Sequence, residues 1–203
     1  QLLRELNDRL TYLRNLENRK SEVSSSIEEQ GKLTDEISAA LEKAVTLVEV
    51  EDIYRPFKPK RKTRASVARE KGLEPLAEFI MAQEKSADPD AEAEKYIDAE
   101  KEIETADKAL QGAMDIIAED ISDNAELRKK IRALYEKTAK IESKAADEEA
   151  ETVYQNYYDF SEGVAKITGH RVLAIDRGEK EGALKVAVVM DENFCYSVAE
   201  SMY

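Results

Sequence analysis

Across 203 residues there is one cysteine, one histidine, no tryptophan, seven glycines and four prolines. Each shortage removes a class of function. A lone Cys195 excludes an internal disulfide and any multi-cysteine metal site, and it fits a reducing cytoplasm. A lone His170, with no HExxH, CxxC or GxSxG spacing, leaves acid–base, nucleophilic and zinc chemistry without converging groups. Glycine is too sparse for a phosphate cradle, and neither a Walker-type loop nor a GxGxxG occurs. No apolar run approaches the roughly 20 residues of a membrane span, and no signal peptide is visible. These absences describe a non-enzymatic chain with no cofactor, no metal and no membrane partner.

Charge is what the chain has in quantity. Charged residues make up 37% of it and hydrophobic ones 42%, with a formal net charge of -13. The apolar share argues against disorder, and the length suffices for a real core. Abundant charge with little glycine points to long, solvated helices. Phosphate does not favour so acidic a surface as a whole, so only a local basic patch could hold nucleic acid.

Periodicity supports the helical reading. Leu3, Leu6, Leu10, Leu13 and Leu16 recur at three- and four-residue steps, continued by Val23 and Ile27, on one face of a long amphipathic helix ended by Gly31. Thr34 is placed to cap a second helix through Ile37, Leu41 and Val45. Ser66 is placed to cap a short one ending near Lys71, and Asp88-Pro89 reads as a restart. The acidic stretch 87–104 reads as a linker or a surface helix. Ile103, Leu110, Met114, Ile117 and Ile121 outline the strongest helix of the middle region. Ser122-Asp123-Asn124 breaks it and caps the next, expected to pack antiparallel to it. Residues 140–146 read as a short strand and 148–158 as helical with an aromatic face. Residues 170–181 are open between helix and strand, and the valine-rich 183–190 is strand-like.

The densest feature is basic. Eight lysines and arginines fall between Arg55 and Lys71, together with Pro56 and Pro59. The prolines bias Arg55 and Lys58 away from helical angles, so an extended connector is expected over 56–62. Arg55, Lys58, Lys60, Arg61, Lys62, Arg64 and Arg69 are the candidate nucleic-acid-binding residues, with Tyr54 and Phe57 offering rings for stacking. The same residues fit a different role, in which the arginines pair with carboxylates of neighbouring helices and the connector braces the bundle. A surface for a partner protein is a third. A second cluster, from His170 to Gly182, combines small residues with Arg177 and Glu181 at the spacing of an intrahelical pair. It reads as a tightly packed element before it reads as a ligand site.

The stretches Leu10-Thr-Tyr-Leu-Arg-Asn-Leu-Glu17, Glu28-Glu-Gln-Gly-Lys-Leu-Thr34, 51–77, Tyr157-Tyr-Asp-Phe160 and 169–184 resemble the Tex family of bacterial transcription accessory proteins. The resemblance is densest in Tyr54-Arg-Pro-Phe-Lys-Pro-Lys-Arg-Lys-Thr-Arg64. It implies the N-terminal helical region, cut before an RNase H-like domain, of a large, modular, cytoplasmic protein that binds nucleic acid, RNA or DNA, mainly through other domains. An RNase H-like domain, helix-hairpin-helix elements and a C-terminal OB-fold are the further parts implied. It also implies transcription machinery as a partner. Opening on Gln1 inside a helical pattern, the chain reads as a fragment of something longer. No catalytic residue of the family maps onto it.

The expected fold is mainly α, a helical bundle of antiparallel helices with a minor β element near residues 140–146 and 183–190. The expected division is an N-terminal helical segment with the basic connector at 1–72 and a central helical region at 73–203.

Overall fold

The computed structural model describes residues 1–59 and 62–203. Ten helices and three strands are formed among them. The mainly helical class with a minor β element is what the structure has. Two compact units divide the chain, Gln1–Arg128 and Lys129–Tyr203.

The first unit opens with α1 (Leu2–Glu29), α2 (Asp35–Lys43) and α3 (Leu47–Tyr54). Local chemistry sets the ends. Thr34 Oγ1 accepts the Ile37 N–H, and Thr46 with Glu49 forms a reciprocal capping box, each such cap stabilising its helix by about 1 kcal/mol. Leu16, Val23 and Ile27 of α1 bury against Leu41, Ala44 and Val50, with Tyr54 and Phe57 packed alongside. Full burial of a residue such as Ile27 stabilises by about 1.5–3 kcal/mol. Only the second half of the apolar stripe of α1 is used in this way. Leu2, Leu3, Leu6, Leu10 and Leu13 are exposed, as is Val45 beyond α2.

A 3-10 turn, Arg55–Phe57, follows α3 directly. The extended connector expected from Pro56 is therefore partly replaced by helical backbone. Arg55 adopts φ -52 and ψ -44, despite the bias against this region before proline, whereas Lys58 before Pro59 is extended.

A second apolar cluster is built by α4 (Arg64–Glu70), α5 (Glu74–Met81), α6 (Pro89–Ala93) and α7 (Ala106–Asp123). Thr63, not Ser66, is the N-cap of α4. Ser66 occupies the third helical position and its hydroxyl accepts the Thr63 N–H, which closes a reciprocal box. Stretch 87–104 is neither a plain linker nor a surface helix. It forms α6, a 3-10 turn at Glu94–Tyr96 and a loop closed by paired backbone bonds between Asp98 and Ile103, and it buries Ala93 and Ile103.

The strongest middle helix is present, but its buried face is not the large-residue stripe. Ala109, Ala113 and Ile116 are buried while Met114 is half exposed. Small residues let α4 and α5 approach α7 closely. A Cβ on Gly112 would stand 2.4 Å from Leu73 Cδ1. Packing partners of α7 are thus α4, α5 and α6. Asn124 ends it with extended backbone and its Oδ1 accepts the Leu127 N–H at the start of α8 (Ala125–Thr138).

In the second unit a three-stranded antiparallel sheet has the order β2 (Asp159–Gly163), β1 (Lys140–Ala145), β3 (Leu184–Val189). Both expected strands exist and pair directly, Ile141 opposite Val188 and Ser143 opposite Val186. Stretch 148–158 is not a helix. Apart from a 3-10 turn at Gln155–Tyr157 it is irregular, because its tyrosines satisfy the loop instead of a helix face. Tyr158 Oη donates to the Ala150 carbonyl, and Ser143 Oγ to that of Tyr157. Residues 170–180 are helical, within α9 (Gly169–Lys180), which packs on β3, and Glu181 is its C-cap. The expected Arg177–Glu181 pair is not made. Glu181 instead accepts the Tyr154 hydroxyl at 2.8 Å. A final helix, α10 (Glu192–Glu200), is capped by Asp191.

Candidate nucleic-acid interface

In sequence the basic connector lies between the two apolar clusters of the first unit, and α7 supplies what Arg55, Arg64 and Arg69 meet. Asp115, Glu119 and Asp123 recur every fourth residue, so they form one acidic stripe along that helix. Arg69 is the most engaged cation. Its guanidinium donates to Glu119 at 2.6 Å and to Asp120, with Glu74 at 3.8 Å. Thr63 Oγ1 donates to the other oxygen of Glu119. Burial works against the charge of Arg69, but hydrogen bonds and attraction from Glu119 and Asp120 outweigh it and raise its pKa. One guanidinium cannot neutralise all its acids. Asp120 stays above the usual carboxylate range, first through burial and then through the charges of Glu119 and Glu74, against the pull of Arg69.

Arg55 turns to the far end of the same stripe, where its Nε meets Asp123 Oδ1 at 2.7 Å. A reciprocal pair lies beside it. Arg128 Nε donates to Asp52 Oδ1 at 2.7 Å, and Asp52 and Asp123 are both buried. One turn of α3 thus gives an acid and the base just after it, and the α7–α8 corner returns a base and an acid. Arg19, whose guanidinium lies over the Tyr54 ring, adds a pair to Glu51 at 2.6 Å. Tyr54 is further held by Ser26 and Phe57 by the core, so neither ring is free for stacking.

The remaining candidates are differently placed. Arg64 approaches Asp115 at 3.5 Å and is 85% exposed. Lys62 reaches Glu70 only at 3.8 Å, both being largely exposed, and Lys58 is exposed. Lys60 and Arg61 lie outside the described residues. The candidates therefore divide. Arg55 and Arg69 bond closely to carboxylates of α7, Arg64 keeps a longer contact with one of them while largely exposed, and Lys58 and Lys62 are exposed. A surface pair such as Lys62–Glu70 contributes about 0–1 kcal/mol, whereas breaking a pair to a buried carboxylate costs several.

The acidic stripe on α7 and the Asp52–Arg128 pair were not singled out by sequence reasoning. Their signal was the four-residue repeat of acids at 115, 119 and 123, which reads equally as a solvated face. His170 is exposed in the first turn of α9, 3.4 Å from Thr168 Oγ1. Burial raises the Cys195 thiol above its ordinary pKa. No group of acids, histidine and cysteine suited to a metal is present among the described residues. None of their helices is long and apolar enough to cross a membrane.

Comparison with known proteins adds a setting for this geometry. A family described as Tex central region-like matches residues 84–202. The uncharacterized protein YdcI of Bacillus subtilis is 48% identical over 90% of the chain and 26% of its own length. Transcriptional accessory protein Tex of Neisseria gonorrhoeae is 41% identical over 92% of the chain and 24% of its own. The human S1 RNA-binding domain-containing protein 1 is 30% identical over 95% of the chain and 20% of its own. The chain thus spans a quarter or less of two of these relatives and 26% of the first.

Proposed function

The chain belongs to the Tex family, and from that premise we propose that it is a non-enzymatic helical scaffold within a transcription accessory protein, associated with nucleic acid. Its setting is cytoplasmic and its wider partners are transcription machinery. In this role part of the basic connector is a brace, in which Arg55 and Arg69 tie α3 and α4 to the acidic stripe of α7. Lys58, Lys62 and Arg64 are the described members left for phosphate.

One observation carries the brace. Arg69 lies among Glu119, Asp120 and Glu74, and a phosphate drawn to it would meet those three carboxylates at close range. The nucleic-acid part is supported by relatives named for transcription and for RNA binding. Melting and binding separate the two parts. Arg69→Gln is expected to lower the melting temperature by the equivalent of about 1–3 kcal/mol, the cost of stranding charged partners, with affinity for single-stranded RNA unchanged. Weakened RNA binding at an unchanged melting temperature would overturn the brace. A salt titration against single-stranded RNA and duplex DNA tests the other part. Absence of binding to either at low salt would remove nucleic acid from the role of this chain.

A further inference from the structure

A cleft of about 710 Å³ opens between α4, α7 and the turn that ends at Ile103, a size suited to a ring-bearing small ligand. Its floor is apolar, lined by half-buried Val67 and by Ala68, Leu73 and Ile103, which are themselves buried. Four cations stand on its walls. Lys62 and Arg64 come from the start of α4, Lys71 from just beyond its end, and Lys108 from the first turns of α7. Most of the carboxylates facing them are exposed side chains at the surface. Lys71 meets Glu102 at 3.2 Å and Lys108 meets Glu104 at 2.6 Å, yet both glutamates are largely exposed. Pairs this exposed are weak, so an arriving anion can recruit either lysine at little cost. Asp115 alone is held in place, and it faces Arg64. Thr63 and Gln111 add neutral hydrogen-bonding groups.

We propose that this cleft binds a nucleoside phosphate, either a free nucleotide or one unit of a single-stranded nucleic acid. The ring lies over Val67 and the phosphate sits between Lys71 and Lys108. Duplex is excluded, because its bases are stacked inside and present no ring to the floor. The inference deepens the nucleic-acid part of the function proposed above and is independent of the brace. Neither Lys71 nor Lys108 belongs to the binding set read from the sequence.

The test is a titration of the ¹⁵N-labelled 203-residue chain at low salt with AMP and, separately, with a uridine octamer. Amide shifts are expected at Thr63, Ile103, Gln111 and Gly112. Lys71→Gln with Lys108→Gln is expected to weaken binding about tenfold or more, as loss of charge-assisted bonds does. Gln111→Glu, at an exposed position, is expected to weaken it by repulsion without altering the melting temperature. Shifts at the cleft with AMP support a free-nucleotide site, and shifts with the octamer alone support a site for the polymer. No shifts with either probe, shifts centred elsewhere, or unchanged affinity in both variants would overturn the proposal. The melting of Arg69→Gln reports on the brace whichever way this falls.

Discussion

Arg55 and Asp123 are 68 positions apart in the chain, yet Nε and Oδ1 meet at 2.7 Å. That contact converts a residue at the head of a basic run into a tie between α3 and the end of α7. Only 8% of the Asp123 side chain is exposed, so its partner matters more than a surface arginine ordinarily would.

Arg55→Gln is therefore expected to destabilise the first unit by about 1–3 kcal/mol. Arg64→Gln, at an exposed and longer contact, should cost under about 1 kcal/mol. Urea denaturation of the two variants checks the ordering. Equal effects would mean that the connector is held by something other than its buried acid.

Asp120 gives a pH signature. Its folded pKa is raised, so the native state holds that proton more tightly than the unfolded chain does. Its contribution to stability therefore falls as pH rises from the ordinary aspartate value of 3.8 through the folded value. Asp120→Asn should be at least as stable as the parent chain at pH 7, and that advantage should vanish toward pH 3. Glu119→Gln should instead lose stability at pH 7, since it removes the 2.6 Å bond to Arg69. Melting curves at both pH values decide it.

Gly178 is a packing position in the second unit. A Cβ there would stand 2.6 Å from Leu184 Cδ1 and 3.1 Å from Tyr154 Cδ1. Alanine in a helix interior would otherwise gain about 1 kcal/mol over glycine. Overpacking against a buried leucine costs about 1–3 kcal/mol and should win. Gly169→Ala, with nothing within 4 Å, is the control. A Gly178→Ala chain that melts no lower than this control would show that α9 can retreat from β3.

Tyr154 is 6% exposed, and burial, then its bond to Glu181 and that residue's charge, holds the phenol above its usual pKa. An ultraviolet titration should show one tyrosine ionising after the others. Because this acid's folded pKa is raised, stability should decline as pH climbs from the ordinary tyrosine value of 10.0. Tyr154→Phe should remove the late-titrating group and, by losing the bond to Glu181, lower the melting temperature at pH 7.

Helix existence was legible because it depends on near neighbours. Thr34, Asp88 and Asn124 announced their helices through short-range capping, and Gly31 closes α1 as expected. The paired strands at 140–146 and 183–190 were legible too, the second from its run of valines. The helix expected at 148–158 failed because its aromatic spacing was mistaken for a packing face. The Tyr154 hydroxyl is instead taken by distant Glu181, and that of Tyr158 by the nearby Ala150 carbonyl. Ser66 was misread by three residues because both members of a reciprocal box carry a hydroxyl able to cap.

Composition and local pattern by themselves determined that the chain is mainly helical and acidic, and that it has a single basic run resembling the Tex family's. Where the charge of that run goes was decided only by tertiary structure. Arg55 and Arg69 were indistinguishable in sequence from Lys58 and Arg64, since each is a cation on a polar segment. Folding brings α7 against α4 and sets its acidic stripe in close contact with Arg55 and Arg69, at longer range from exposed Arg64, and away from Lys58. The strength of an ion pair depends on distance and burial between residues dozens of positions apart, and no local periodicity encodes either.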